Sequence, residues 1–266
     1  MKPLDLKILI RGAGEMASGV AYRLFKSRFH IVMTEIPVPL SIRRAVCFSE
    51  AVFEGRAEVE DVQAVRVAAA DEVTAAWRRG RIAVLVDPDL AIRNKIPFDA
   101  VVDATLAKRN IGTYKGFAPF VIGLGPGFTA GGDVDCVIET NRGHHLGRVI
   151  FQGAAQPDTG IPGSTLGYTV ERVLRAPTDG VFQGLKAIGG PVSAGEAVGR
   201  VGDRPMVSRI DGVLRGILRD GVRVHEGMKS GDVDPRGDRV NCFTISDKAR
   251  AVAGGVLEAI LHRFNR

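Results

Sequence analysis

The sequence predicts an α/β unit with a mainly parallel sheet, joined to a second, smaller all-β unit of two similar halves. Three observations lead there. A branched apolar run passes through a Gly-Ala-Gly turn into a helical pattern, strand-like and helix-like segments alternate through the N-terminal half, and the C-terminal half matches itself at an offset of 32 residues. The 266 residues suffice for two domains that each bury a core. An apolar fraction of 45% with 25% charged residues sets the chain apart from disordered and membrane-spanning classes.

Residues 6–11, LKILIR, read as a buried strand. Gly12 and Gly14 follow at once, and Ala17, Val20, Leu24 and Phe25 then recur at helical spacing from about Glu15 to Ser27. A second strand, 30–34, ends at Glu35. Glycines at 12 and 14 allow a sharp turn and close approach of a pyrophosphate to the helix N-terminus, with Glu15 in the first turn; an acid some 20 residues on can accept hydrogen bonds from a ribose diol. The unit is therefore expected to be Rossmann-like, with Gly12, Gly14, Glu15 and Glu35 as cofactor-binding candidates. A strand-to-helix turn that merely uses glycine satisfies the same pattern.

Pro37 and Pro39 break the chain. Residues 41–51 have helical character, 71–79 read as a helix, and 82–86, 100–103 and 120–124 as buried strands. Asp87, Asp89, Asp103 and Thr105 punctuate strand ends, where ligands gather in doubly wound sheets and where capping and turn formation also place such residues. The run from Gly123 to Gly132 can form an anion-binding nest, which adds Gly125, Gly127 and Thr129 to the cofactor-binding candidates, or a plain turn. It lacks the Lys-Ser/Thr ending of a P-loop. Residues 134–139 and 147–151 resemble a hairpin around His144 and His145. Neighbouring strand side chains point to opposite faces and no third ligand has suitable spacing, so no metal is expected; His144 remains a candidate for anion binding or proton transfer.

At the 32-residue offset Asp179-Gly180-Val181 falls on Asp211-Gly212-Val213, and Gly184, Gly189, Val192, Gly195, Gly199 and Val201 find identical partners without a gap. Neither half has apolar residues enough for its own core, so the copies must pair. The Ala-Pro-x-Asp-Gly-Val opening at 176–181 resembles the biotinyl/lipoyl-like barrel-sandwich family. Where that family carries its modifiable lysine this chain has Asp203-Arg204-Pro205-Met206, so an interaction role is expected in place of a swinging arm. Ser246-Asp247 caps a last helix whose stripe of Ala253, Val256, Leu257, Ile260, Leu261 and Phe264 is expected to return to the α/β unit. The domains are thus 1–170, a nucleotide-binding unit completed by 246–266, and 171–245, the β module.

Three scattered cysteines without a CxxC pair, no apolar run of membrane-spanning length and no secretory leader pattern predict a cytoplasmic protein with free thiols. The net charge of +6 is dispersed and aromatics are few, which predicts small anionic ligands and neither nucleic acid nor membrane as partners.

The segments RGAGEMASGVAYRL, MTEIPVPLSIRRAVCFSEAVFEG, VIGLGPGFTAGGDVDCVIETNRGHHLGRVI, TGIPG and DVDPRGDRVNCFTISDKARAVAGGVLEAIL resemble the accessory, or maturation, family of selenium-dependent molybdenum hydroxylases. The resemblance implies a maturation factor for selenium or molybdenum-cofactor insertion, partnered by the hydroxylase or its cofactor-assembly proteins; the Gly12, Gly14, Glu35 and Gly125–Thr129 features add NAD(P) or another nucleotide or dinucleotide-like ligand to that expectation. If selenium passes through the chain a thiolate is its natural carrier, with Cys47 the first cysteine to test and Cys136 beside it, although a buried inert thiol is the alternative for each. An NAD(P)-dependent oxidoreductase and a non-enzymatic scaffold are the competing functions.

Overall fold

The computed structural model describes residues 4–265. The chain divides into two compact units: one holds the residues up to Pro39, Phe48–Thr159 and Ile245 onward, the other Leu40–Cys47 and Gly160–Thr244. Residues 40–47, which the sequence places with the α/β part, belong to the β unit.

The first unit runs β1 (Lys7–Arg11), α1 (Glu15–Lys26), β2 (His30–Glu35), α2 (Ala51–Glu54), β3 (Arg56–Val59), β4 (Val62–Arg66), α3 (Ala70–Arg78), β5 (Ile82–Val86), β6 (Ala100–Asp103), β7 (Val121–Leu124), β8 (Thr129–Ala130), β9 (Cys136–Ile138), β10 (Val149–Ile150) and β11 (Gly153–Ala154). Nine strands form one sheet in the order β10-β9-β7-β6-β1-β2-β5-β4-β3. The expectation of a Rossmann-like, mainly parallel sheet is corrected by this topology: the sheet is mixed, with antiparallel pairs β9–β10 and β3–β4 closing its two edges, and the β8–β11 ribbon stands apart. The inner strands β1, β2, β6 and β7 are apolar and buried because both faces are covered. The β3–β4 hairpin escaped the sequence reading, since an edge with charged outward residues such as Arg56, Glu58 and Arg66 lacks an apolar run. Residues 41–51 are likewise not one helix; they contain the 3-10 turns Arg44–Val46 and Phe48–Glu50.

The last helix, α4 (Asp247–Phe264), closes this unit by packing on α1. Ser246 caps it by accepting from Ala249 N and in turn donates to Glu15 Oε1 at 2.8 Å. Its buried face combines the small residues Ala249, Ala253, Gly255 and Ala259 with Val252, Val256 and Ile260; of the expected stripe Ala253, Val256 and Ile260 are buried, while Leu257, Leu261 and Phe264 are only partly buried. Small residues let the backbones approach: a Cβ at Gly255 would lie 2.1 Å from the Gly147 carbonyl oxygen, and one at Gly19 would lie 2.8 Å from Ala249 Cβ.

The second unit contains β12 (Val173–Arg175), β13 (Gly180–Gly184), β14 (Pro191–Val192), β15 (Ala197–Val201), β16 (Arg204–Val207), β17 (Gly212–Ile217), β18 (Arg223–Val224) and β19 (Lys229–Asp234). They form two antiparallel sheets, β12-β19-β17-β14 and β16-β15-β13-β18. Advancing each strand by four, cyclically within the eight strands β12–β19, converts one order into the other, so the sheets are copies, and each takes two strands from each half of the repeat. The crossing is fastened twice. Asp179 Oδ1 accepts from Glu226 N at 2.7 Å, and Asp211 Oδ1 accepts from Ala194 N at 2.8 Å, each aspartate bonding a turn of the other half. Phe182, Val198, Leu214, Leu218 and Val233 lie in the shared core.

The α4 contact makes a direct prediction. Nothing lies within 4 Å of a Cβ at Gly254, so Gly254→Ala should stabilise the chain by about 1 kcal/mol through helix propensity. Gly255→Ala, one residue on, should destabilise it by about 1–3 kcal/mol, because the Gly147 loop must move. Urea unfolding midpoints of the two variants should shift in opposite directions.

Candidate functional site

Parallel strands deliver their C-terminal ends to one edge, and four carboxylates stand there, each bonded to backbone N–H groups of a following or facing loop. Glu35, at the end of β2, accepts from Ala13 N at 2.9 Å through Oε2 and from Ile36 N at 2.8 Å through Oε1. Asp87, after β5, accepts from Ala91 N and Ile92 N, both at 2.9 Å. Glu139, after β9, accepts from Asn141 N at 2.7 Å and Gln156 N at 2.8 Å.

Asp103, at the end of β6, is fully buried and gathers the densest group. Its Oδ1 accepts from Thr105 N at 3.1 Å and Thr105 Oγ1 at 2.6 Å; its Oδ2 accepts from Thr113 Oγ1 at 2.6 Å and pairs with Arg11 Nη1 at 3.3 Å. Arg11 also donates to Thr113 Oγ1, Ile111 O and Pro88 O. Asn110 completes the loop by accepting from Gly112 N and Thr113 N. Arg11, Asn110 and Thr113 escaped the sequence reading; the one signal was a charged residue closing an otherwise apolar strand, at Arg11.

Between β1 and α1 the turn is built as glycine allows. Gly12 has φ +97°, donates to Thr34 O at 2.8 Å, and a Cβ there would stand 3.3 Å from Ala104 O. Gly14 is the extended N-cap of α1 and offers its first turn no side-chain acceptor. The Ala13 carbonyl accepts from Ser18 Oγ and Ser49 N, which locks the turn from behind. Burial raises the Glu35 carboxyl above the ordinary glutamate value, while the N–H groups of Ile36 and Ala13 oppose that shift.

The expected site residues separate into two groups. Gly12, Gly14 and Glu35 meet at one turn, and Glu15 in the first turn of α1 accepts from Ser246. Gly125, Gly127 and Thr129 belong to a loop whose donors serve the fold: Gly125 N bonds Ile138 O, Thr129 N bonds Asp133 Oδ2 at 3.0 Å, and a Cβ at Gly127 would strike the Arg109 backbone at 2.7 Å. His144 is exposed, its ring 5.0 Å from that of His145, and among the described residues no three His, Cys, Asp or Glu side chains group as metal ligands. Cys47 lies in the β unit, 2% exposed, with its thiol donating to Arg43 O at 3.1 Å. Cys136 is also buried; burial, aided by Asp135, pushes its thiol up to about 12, and burial raises that of Cys242 as well. Neither titration favours a thiolate carrier at neutral pH.

No family model matches the chain. A relative described as the uncharacterized protein YqeB of Escherichia coli (strain K12) is 46% identical over 254 residues, covering 96% of this chain and 47% of the relative, so the chain spans about half the length of the curated relative it matches. Among solved structures, an aspartoacylase family protein from Mesorhizobium loti is 13% identical, covering 86% of this chain and 85% of the other, at a TM-score of 0.29. A succinylglutamate desuccinylase/aspartoacylase from Rhodobacter sphaeroides is 14% identical, covering 86% and 85%, at 0.28. Scores of that size carry neither fold nor activity across. The comparisons overturn the resemblance to the selenium-dependent hydroxylase accessory family: no family model matches, and the curated relative is described as uncharacterized. The maturation function, with its selenium and molybdenum-cofactor roles, falls with it.

Removing the Asp103 carboxylate tests the loop anchor. Asp103→Ala leaves Arg11 without its counter-charge and two hydroxyls without an acceptor, so a loss of about 3–5 kcal/mol is expected. Limited proteolysis should show new cleavage within 104–117, and an unchanged urea midpoint with an intact loop would disprove the anchoring role.

Proposed function

We propose that the α/β unit binds a small anionic ligand carrying vicinal hydroxyls, the chemistry of a phosphorylated ribose, at the Gly12–Gly14 turn. The anionic group faces the N-terminus of α1, where the helix dipole and first-turn N–H groups favour negative charge. Glu35 receives the hydroxyls. The observation that carries the reading is the Glu35 carboxylate fixed at the turn by Ala13 N and Ile36 N, one bond to each oxygen. A carboxylate has about four acceptor positions, so each oxygen retains capacity for one hydroxyl, and the backbone bonds orient both before a ligand arrives.

Membership of Glu15 in the site is part of the proposal, in a supporting role: its bond to Ser246 fixes the first turn of α1 against the cap of α4. Binding, and not thiol chemistry, is what the arrangement favours, since all three cysteines are buried. No helix among the described residues is long and apolar enough to cross a membrane; we place the protein in the cytoplasm, where its free thiols stay reduced.

Adenosine monophosphate and ribose 5-phosphate should raise the melting temperature and bind in calorimetry, with 2′-deoxyadenosine monophosphate at least about tenfold weaker for want of one hydroxyl. Glu35→Gln should remove that discrimination. The ionised carboxylate is the better acceptor and its titration lies above the ordinary glutamate range, so affinity should rise with pH through that raised titration and level off above it. Equal binding of the two adenylates by the unaltered chain, or an unchanged pH profile in Glu35→Gln, would sink the assignment.

A further inference from the structure

Four strand ends stand side by side on one face of the large sheet, at the edge where a parallel sheet meets its ligands. Asp103 on β6, Arg11 on β1, Thr34 on β2 and Leu85 on β5 are register partners in that order, and partners in register share a face. Glu35 follows Thr34 and points to the opposite face. The row is therefore separate from the Gly12–Gly14 turn and its carboxylate. Below it lie Leu9, Val32 and Val101 of the apolar core.

Arg11 uses its guanidinium unevenly. Such a group has five N–H donors in a rigid fork. Nη1 makes three of the four contacts, to Thr113 Oγ1 at 2.9 Å and to Asp103 Oδ2 and Ile111 O at 3.3 Å each; Nη2 makes one, to Pro88 O at 3.4 Å, and Nε makes none among the described residues. Nη1 is the anchored end. Nε and Nη2 form the side-on edge that matches two coplanar oxygens. Arg93 and Arg172 hold an unpartnered Nε sealed from solvent, whereas Arg11, with its side chain 14% exposed, keeps its own open.

Nor does Asp103 take up the charge. Its contact with Arg11 is longer than the roughly 2.8 Å of a charge-assisted bond, and the carboxylate is satisfied by three neutral donors, Thr105 Oγ1 and Thr113 Oγ1 at 2.6 Å and Thr105 N at 3.1 Å. Next to Arg11 in the row, the Thr34 hydroxyl is buried and has no partner among the described residues. An unbonded buried hydroxyl costs the fold stability that a valine of the same shape would not.

The geometry points to Arg11 and Thr34 as a binding site for the carboxylate of a small organic acid. One oxygen takes Nε; the other takes Nη2 and the Thr34 hydroxyl, and the long Pro88 contact is the one displaced. Charge selects a carboxylate over a phosphate. Arg11 and Asp103 together are neutral, so a single negative charge at the fork is met by the guanidinium, while a phosphate brings about two, beside a buried carboxylate and the buried Leu85.

Titration of the full chain with propionate, followed by the Arg11 Nε–H and Gly12 N–H resonances, tests this. A saturable shift with a Kd of about 5 mM is expected, and methyl phosphate should bind at least about tenfold more weakly. Arg11→Lys keeps the charge, loses the fork and should weaken propionate binding at least about tenfold. Because Arg11 also holds Thr113, Thr34→Val is the decisive variant. It removes no bond of the fold, so the melting temperature should hold or rise while propionate affinity falls about three- to tenfold. Propionate carries no hydroxyls, so the outcome is independent of how adenosine monophosphate behaves at the Gly12 turn. Resonances that stay fixed up to about 100 mM propionate, methyl phosphate binding as tightly as propionate, or an unchanged affinity in Thr34→Val would each overturn the proposal.

Discussion

The α/β unit depends on carboxylates at the ends of its parallel strands. A strand leaving such a sheet carries its chain into a loop whose N–H groups have lost their ladder partners, and each must find an acceptor. Glu35, Asp87, Asp103 and Glu139 provide one at four of these ends. Charged acceptors make stronger bonds than neutral ones, and two oxygens let one side chain hold two donors. Loops are thereby fixed by groups that grow directly from the rigid sheet. The same positions are those at which a ligand would be met, so anchoring and recognition compete for a limited number of lone pairs. Glu35 stands apart from Asp103 in this respect: Asp103 spends its oxygens on two threonines and an arginine, while Glu35 takes one backbone bond per oxygen.

The β unit solves a different problem. Each half of its repeat is too small to bury a core, and the remedy is interleaving, with both sheets drawing strands from both halves. The reciprocal bonds of Asp179 and Asp211 tie each half to a turn of the other. One expects such a unit to lose both sheets together, because no sheet belongs to one half alone. Burial of Asp234 would raise its titration, but hydrogen bonds from Arg236 and the charge of Arg215 prevail and lower it, so the carboxylate remains ionised in the interior. Below its unfolded value that stabilisation fades as the folded form takes up its proton.

What the sequence revealed follows from which forces are local. The β1 run, the Gly12 turn and the α1 stripe are contiguous, and the acid at 35 lies a fixed distance along the chain, so their association could be read directly. The 32-residue match was legible for a similar reason, since glycines and the Asp-Gly-Val triplets mark turns. Long-range partners were not legible. Nothing near Asp103 in the chain announces Arg11, 92 residues away. The close packing of the glycines at 125 and 127 against Thr140 and Arg109 was likewise not announced by any local pattern. The mixed character of the large sheet was missed because edge strands such as Arg56–Val59 are polar by necessity. The family resemblance, drawn from segment likeness, had no physical check within the sequence and did not withstand comparison.

Why residues 40–47 lie on one copied sheet and not the other is itself a question of local geometry. The register between β17 and β19 shifts between Leu214 and Gly216, so that Leu218 N, and not Ile217 N, takes the Ser230 carbonyl. That slip turns the Ile217 N–H toward Ile42 O. Gly216, lacking a Cβ, lets the visiting backbone come within contact. In the first half the ladder of β13 and β15 runs on without a slip through Phe182, Gln183 and Gly184, and Leu185 N goes to Val198 O. The matching donor is therefore consumed within the sheet. No strand of this chain can add by backbone bonds at that position, and whatever covers the face must do so through side chains. A bulge in one of two strands duplicated without insertion is thus sufficient to divert a segment from elsewhere in the chain, leaving the sister face to be met by side chains alone.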